Sequence, residues 1–313
     1  MTPVIGALAI FFSVLVPQKM WFAPSQPLLV TDKSSQDVAL IMTDFSGKPQ
    51  AAKGPAVLKA GATVDVKNLF PTGDTVGTWI LYAVPTGSPS LAAATVPKDF
   101  LGTPLVIEVL QDPSSDGPQV TRVVPLEYTV MQTDAGTMKM IFYYDAAPHT
   151  VDTFLTLSAE GFYDGLTFHR IVPDFVIQGG DPLATGTGGP GFHLDAEFSG
   201  RPHLEGVLSM ARNGDPDENP QTGTMPRPQY ANSAGSQFFI CLDYRNTQQL
   251  DHYYTAFGQV VEGFDVAQKI GKSPLIDPQN GTPRVPTVIQ SVKVYAVTAA
   301  EDPYLLAKPT TAP

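Results

Sequence analysis

Tyr163 to Gly180 reads YDGLTFHRIVPDFVIQGG. Phe168, Ile171, Phe175 and Val176 are residues that pack, yet Arg170 and Gln178 stand among them. A guanidinium or an amide in hydrocarbon is costly unless it is paired or faces a cleft. The stretch therefore describes a pocket wall rather than a plain core strand. A second stretch, Gly235-Ser236-Gln237-Phe238-Phe239-Ile240-Cys241-Leu242, repeats the mixture. Side chains alternate across a strand, so Gln237, Phe239 and Cys241 share one face and Phe238, Ile240 and Leu242 the other. An amide beside an aromatic on one face, with pure hydrocarbon on the opposite one, suits a ligand groove.

Further blocks stand in order around these two. They are Gly186-Thr187-Gly188-Gly189-Pro190-Gly191-Phe192, Gly206-Val207-Leu208-Ser209-Met210-Ala211-Arg212, Asn232-Ser233-Ala234 leading into the second stretch, and Leu250-Asp251 followed by Phe257-Gly258-Gln259-Val260. Together they resemble the cyclophilin-type peptidyl-prolyl cis-trans isomerases, in a bacterial-like form, over residues 125–298. The resemblance implies a mainly β fold, a closed eight-stranded antiparallel barrel with two capping helices. It implies an enzyme that speeds rotation about Xaa-Pro bonds in proline-containing polypeptides and so assists protein folding, acting as a monomer without metal or cofactor. Arg170 aligns with the catalytic arginine, and His169, Phe175 and Gln178 are grouped with it. Phe175, Met210, Phe239 and Leu250 would line the proline pocket, with Val176 and Tyr254 as further substrate contacts. Gln178 and Gln237 would hold the peptide backbone, and Ala211 and Arg212 would border the groove. Two positions depart from eukaryotic members: Gln249 stands where they carry a pocket-side tryptophan, and Tyr254 where they carry a histidine. The indole contact used by cyclosporin-like ligands is therefore missing.

The implied reaction suits these groups. Resonance gives the peptide C–N bond a rotational barrier of about 18–20 kcal/mol. No bond is broken, so no nucleophile is needed. In the twisted state the prolyl nitrogen becomes pyramidal and regains a lone pair. Arg170 can donate to it, and a guanidinium is a donor that ordinary pH cannot titrate away.

Outward from this half, the sequence changes character. Pro27–Thr31, Val38–Thr43, Ala62–Leu69, Gly77–Val84 and Pro104–Leu110 are short runs rich in Val, Leu and Ile. Turn clusters separate them: Ser46-Gly47-Lys48-Pro49, Pro71-Thr72-Gly73-Asp74 and Thr86-Gly87-Ser88-Pro89. Val64 and Val66 alternate with Asp65 and Lys67, the period of a half-buried strand. Residues 24–124 thus read as a small β-sandwich-like domain with no catalytic constellation, a spacer or interaction module. Asp112–Gly117 is the expected boundary. Beyond it, Val124–Met131 and Thr137–Tyr143 read as a hairpin turning through Asp134-Ala135-Gly136. A helix is expected to start at Pro148 and stop at Gly161, with Val151, Phe154, Leu155 and Ser158 on one face. A second is expected from Gly263 to Ile270, stopped by Gly271, and residues 299–313 read as a flexible tail.

Residues 1–23 form an apolar amino-terminal segment. Its core, Val4–Val16, carries no charge and is shorter than the roughly 20 residues that span a bilayer. It fits the apolar region of a secretory signal, although no Lys or Arg precedes it. An export signal, an envelope anchor, a buried strand or helix and a misplaced start codon are the readings. The first two place the protein in the cell envelope or periplasm, in association with the membrane; the cytoplasm is the alternative.

Composition narrows the partners. Thirty prolines and 27 glycines among 313 residues, neither periodic nor clustered, favour short strands and turns. A formal net charge of −11 argues against nucleic acid, which needs clustered Lys and Arg. A single cysteine, Cys241, excludes an internal disulfide. His149, His193, His203 and His252 lack metal-ligand spacing. Between Arg212 and Asn232 lies NGDPDENPQTGTMPRPQY around residues 213–230, longer than the family interval. Asp215, Asp217 and Asn219 alternate like the start of a calcium loop, but Pro220 replaces the required glycine. An ion site, a groove-side element tuning substrate access and a neutral decoration are the readings of this insertion. Two rivals to the enzyme remain at this level: a non-catalytic proline-peptide binding module, and an envelope interaction protein whose β domain is the working part.

Overall fold

The computed structural model describes residues 13–70, 76–92, 96–111 and 120–307. The contacts divide the chain into one unit of residues 1–127 with 295–302 and a second of residues 128–294 with 303–313.

The first unit is built from β1 (Leu15–Pro17), β2 (Trp21–Phe22), β3 (Leu29–Asp32), β4 (Val38–Asp44), β5 (Val57–Leu58), β6 (Thr63–Asp65), β7 (Gly77–Pro85), β8 (Leu105–Leu110) and β9 (Val120–Pro125). They form a three-stranded sheet, β1-β3-β6, and a six-stranded sheet, β2-β9-β8-β7-β4-β5. Leu15, Val30 and Val66 meet Met42, Leu81, Leu105 and Ile107 in one buried core. Hydrocarbon from two sheets closing on one layer makes this a β-sandwich. The extended reading of Ala62–Leu69 holds only as far as Asp65. There the carboxylate accepts from the Lys67 N–H at 3.1 Å and caps a helical turn, Val66–Leu69. A short-range cap overrides the strand-like alternation of Val64 and Val66. The turn at Ser46–Pro49 forms around Asp44, which accepts from the Ser46 and Lys48 N–H groups, with Gly47 at φ +86°. The Pro71–Asp74 turn and the Asp112–Gly117 boundary lie outside the described residues, as does residues 1–12 of the apolar segment. The rest of that segment supplies β1 and β2, and Leu15 is buried. Among the described residues, no helix is long and apolar enough to cross a membrane.

The expected strand Val124–Met131 is two. Pro125, which has no N–H to give, ends β9, and β10 (Glu127–Thr133) starts beyond Leu126. The second unit continues with β11 (Gly136–Phe142), α1 (Pro148–Ala159), β12 (Thr167–Phe168), β13 (Arg170–Val172), β14 (Val176–Gly179), β15 (Val207–Met210), β16 (Phe238–Cys241), β17 (Ala256–Glu262), α2 (Phe264–Gly271), β18 (Leu275–Asp277), β19 (Thr282–Pro283) and β20 (Thr287–Ala296). The large sheet runs β12-β20-β10-β11-β17-β15-β16-β14-β13. Its two ends, β12 and β13, are separated in the chain only by His169. The sheet therefore curls back on itself. Counting Thr167–Val172 as one bent strand makes it the eight-stranded barrel that the resemblance implied.

α1 begins at Pro148, and its first N–H groups are met by Glu197: His149 donates to Oε1 at 3.1 Å and Thr150 to Oε2 at 2.8 Å. A carboxylate at this end also suits the helix dipole. Val151, Phe154, Leu155 and Ser158 are all buried. Phe154 joins Tyr163, Phe238 and Phe257 in an aromatic core, with ring centroids 4.9, 5.5 and 5.2 Å from its own. Truncating such a ring to alanine costs about 3–5 kcal/mol. α2 runs one residue past its expected end. Gly271 is needed for proximity, since a Cβ there would lie 2.6 Å from Leu242 Cδ1. Residues 299–307, expected as the start of a loose tail, instead hold a bridge between Thr298 and Glu301 and a 3-10 turn at Pro303–Leu306. The Tyr304 hydroxyl accepts from the Phe142 N–H at 3.2 Å.

Candidate active site

Strand register builds the site. Arg170 on β13 lies opposite Gln178 on β14, and Gln178 lies opposite Phe239 on β16. Directly opposed residues project to the same face, so these three form one row. Arg170 Nη1 donates to Gln178 Oε1 at 3.3 Å, Gln178 Nε2 donates to Gln237 Oε1 at 2.9 Å, and Gln237 Nε2 donates to the Gly188 carbonyl at 2.8 Å. Every bond points the same way, and such chains reinforce their members. A guanidinium has five N–H donors, so most of Arg170 stays available. Among the described residues no carboxylate pairs with it.

Beside this row lies an apolar seat. Val176, Phe239 and Leu250 are buried in one cluster, against which Phe175, Ala211 and Tyr254 pack half-buried. Tyr254 stands edge-on to Phe239, with centroids 5.7 Å apart at 77°. Met210 is not part of it. On β15, Ser209 is the residue opposite Phe239, and Met210 is opposite Phe238. Its side chain therefore falls on the barrel's aromatic face, and the expectation that it lines the pocket is corrected. His169 also stands apart. It is half-buried between β12 and β13, where burial pushes its pKa below the usual range. Among the described residues it makes no hydrogen bond to Arg170, Gln178 or Gln237. Gln249 is exposed and donates to the Asn246 carbonyl at 3.1 Å.

Arg212 does border the groove, but its guanidinium is committed to the protein. The side chain is 2% exposed. Nε donates to the Tyr253 carbonyl at 3.1 Å, Nη1 to the Asn213 carbonyl at 2.9 Å and Nη2 to Glu218 at 2.6 Å. The group lies over the Tyr254 ring, 4.3 Å from its centroid. Next to the seat is an open depression lined by Gln178, Gln237, Ala211, Arg212, Leu183 and Phe192. The insertion closes on itself through Asp215, which accepts from the Arg227 backbone N–H at 2.8 Å, Nε at 2.9 Å and Nη2 at 2.7 Å. Arg227 holds the Asp215 carboxyl well below the usual carboxylate range. That pairing supplies the positive partner a calcium ion would have been.

Two supports escaped the sequence reading. Behind Phe239, the buried His203 ring stacks at 6.3 Å and 21°. Its Nδ1 meets Asp251 Oδ1 and its Nε2 meets Ser209 Oγ, each at 3.0 Å. Asp181 shapes the loop carrying Gly188 by accepting from the Leu183 and Thr185 N–H groups at 2.7 and 2.9 Å. Asp251 lies 48 residues from His203 and Ser209 six, a spacing that matches no motif, so it held no signal for the ring. The position of Asp181, just after two glycines, held a weak one.

An arginine with free donors, set at the edge of an apolar seat and beside an amide pair, can hold an extended peptide and act on a group lodged in the seat. Residues 128–294 match the family model described as cyclophilin type peptidyl-prolyl cis-trans isomerase/CLD. A peptidyl-prolyl cis-trans isomerase of Synechococcus elongatus is 42% identical over 144 residues, covering 46% of this chain and 86% of the relative. Peptidyl-prolyl cis-trans isomerase B of Bacillus subtilis is 39% identical over 145 residues, covering 46% of this chain and 89% of the relative. A crystal structure of a Cryptosporidium parvum cyclophilin type peptidyl-prolyl cis-trans isomerase aligns over 54% of this chain and 99% of its own, with a TM-score of 0.46 and 28% identity. With the family model matching more than half of its length, the chain belongs to the cyclophilin-type peptidyl-prolyl cis-trans isomerases.

Proposed function

We propose that this chain isomerises Xaa-Pro bonds in polypeptides, with Arg170 donating to the prolyl nitrogen and the Phe175–Phe239–Leu250 cluster seating the proline ring. One observation carries the assignment of roles. Arg170 is a permanent cation at the rim of an apolar cluster, held by a neutral amide and not by a carboxylate.

The steps follow from the groups. The proline ring enters the cluster, and each buried CH₂ contributes about 0.8 kcal/mol. The depression beside Gln178 and Gln237 takes the chain flanking the proline. As the C–N bond twists, conjugation is lost and the nitrogen lone pair localises. An Arg170 N–H then donates to it. The planar ground state offers no such acceptor, so the interaction forms only in the transition state, the condition for raising kcat. Gln178 prevents the guanidinium from swinging away and so acts as a positioning residue.

A protease-coupled assay on an Xaa-Pro tetrapeptide tests the proposal. Removing one preorganised donor costs about 10²–10³ in kcat, and Arg170→Ala is expected to fall in that range with its far-UV circular dichroism unchanged. Arg170→Lys is expected to recover only part, because a compact ammonium lacks the planar fork. Equal rates for the wild type and Arg170→Ala would remove Arg170 from the mechanism. Background rates for the wild type would remove the enzyme. An envelope location rests on the apolar run Val4–Val16 alone, and fractionation of the host tests it.

A further inference from the structure

The insertion between Arg212 and Asn232 reaches the proline seat through a chain of three contacts. Glu218 holds Arg212 at 2.6 Å, Arg212 covers Tyr254 at 4.3 Å, and Tyr254 stands edge-on to Phe239 at 5.7 Å. The insertion is braced at its far end by Asp215 and Arg227, and where it begins the Asn213 N–H donates to Ser233 Oγ at 2.8 Å. Glu218 is thus delivered by a closed loop and not by a loose one. Its side chain is 17% exposed, so the ion pair is only partly screened by water. Without this carboxylate, the Arg212 charge would lie uncompensated at the wall of the depression, the region proposed to take the flanking peptide.

Resting on the isomerase reading, we infer that Glu218 is a specificity-determining positioning residue of the groove. It cancels the Arg212 charge there and keeps the guanidinium on Tyr254. The insertion therefore lets the site accept substrates with either sign of charge beside the proline. Arg212 alone would favour acidic sequences.

The test uses three peptides with alanine, glutamate or lysine at the two positions before the proline. Turnover and binding by fluorescence anisotropy are measured for the full chain. Glu218→Gln keeps an acceptor for Arg212 and removes the charge. The preference for the glutamate over the lysine peptide is expected to rise by about fivefold at low salt and to shrink as salt screens it. The double variant Glu218→Gln/Arg212→Met is expected to return the preference to that of the wild type. An unchanged preference in Glu218→Gln overturns the inference. So does an equal loss on all three peptides, which would show mere structural support. Should the wild type bind these peptides without turning them over, the isomerase reading falls. The ratio of binding constants still decides the role of Glu218.

Discussion

Two arginines in this chain occupy the same local geometry and are paired in opposite ways. Arg122 on β9 lies opposite Glu108 on β8, and Arg170 on β13 lies opposite Gln178 on β14. Each is a strand arginine facing a polar residue across an antiparallel pair. In the sandwich the partner is a carboxylate, and both side chains are buried, at 2% and 0% exposure. In the barrel the partner is an amide, and both side chains are half-buried. A carboxylate satisfies the guanidinium's charge as well as its hydrogens and closes the site. An amide satisfies one hydrogen and leaves the charge to act on something else. The comparison teaches that the residue across the strand sets whether an arginine's charge is spent inside the fold or left for a ligand, the role proposed for Arg170.

The largest effect is expected from opening the closed pair. Glu108→Leu removes the carboxylate from a buried ion pair, a change that costs about 3–5 kcal/mol. Both tryptophans, Trp21 and Trp79, belong to the first unit, so their emission during urea unfolding reports this unit. The double change Glu108→Leu/Arg122→Met is expected to recover most of the loss, since an apolar pair of similar volume is often neutral. A cost below about 1 kcal/mol for Glu108→Leu would mean that the pair is worth no more than an exposed one.

Closing the open arginine is the converse. Gln178→Glu places a carboxylate opposite Arg170 and reproduces the sandwich arrangement in the barrel. A guanidinium forked onto a carboxylate is held more firmly and has its charge spent. Activity is expected to fall by about ten- to a hundredfold, less than on deleting the donor, while thermal stability is kept or raised. Full activity in Gln178→Glu would show that the free charge of Arg170 is not what matters, leaving geometry alone.

How much of this was legible beforehand depended on how local the signal was. The polar intrusions at Arg170, Gln178 and Gln237 stood out because each broke a hydrocarbon run, and strand alternation placed Phe239 with Gln237. Helix α1 was readable from Pro148 and its apolar spacing. Met210 was misplaced because the blocks show adjacency, whereas the pleat decides the face: one step along β15 separates Ser209 beneath Phe239 from Met210 beneath Phe238. The turn at Val66–Leu69 was hidden by an alternation that Asp65 overrules through one hydrogen bond. The pairing of Arg212 with Glu218 spans only six residues, yet nothing in the loop's composition distinguishes the acid that turns inward from Asp217, which stays exposed. The closure of the sheet depends on the long-range pairing of β12 with β20 and left no local trace.

The smallest effect concerns a third closed arrangement, one that acid can open. His203 is buried behind Phe239 between Asp251 and Ser209. Burial lowers its pKa below 6.5, with the neighbouring His252 acting in the same direction, and the hydrogen bond and charge of Asp251 offset this only in part. For Asp251, burial acts upward, but the bonds from His203 and Tyr244 bring its pKa below the usual value, so it stays ionised near neutrality in both folded and unfolded states. Below about pH 6.5 the unfolded chain protonates His203 while the folded one resists, so the unfolded state binds more protons and stability declines as pH falls. The contribution is complete above that pH and is lost on acidification toward the folded value. The midpoint of thermal inactivation of the isomerase, assayed after return to neutral pH, is expected to drop as the pH falls below about 6.5. His203→Gln, which keeps an amide between Asp251 and Ser209, is expected to start lower and to vary less below that pH. A midpoint that falls as steeply in His203→Gln as in the wild type would assign the acid sensitivity to other groups. It would leave His203 as a neutral prop behind Phe239, closed like Arg122 but without a charge to gain.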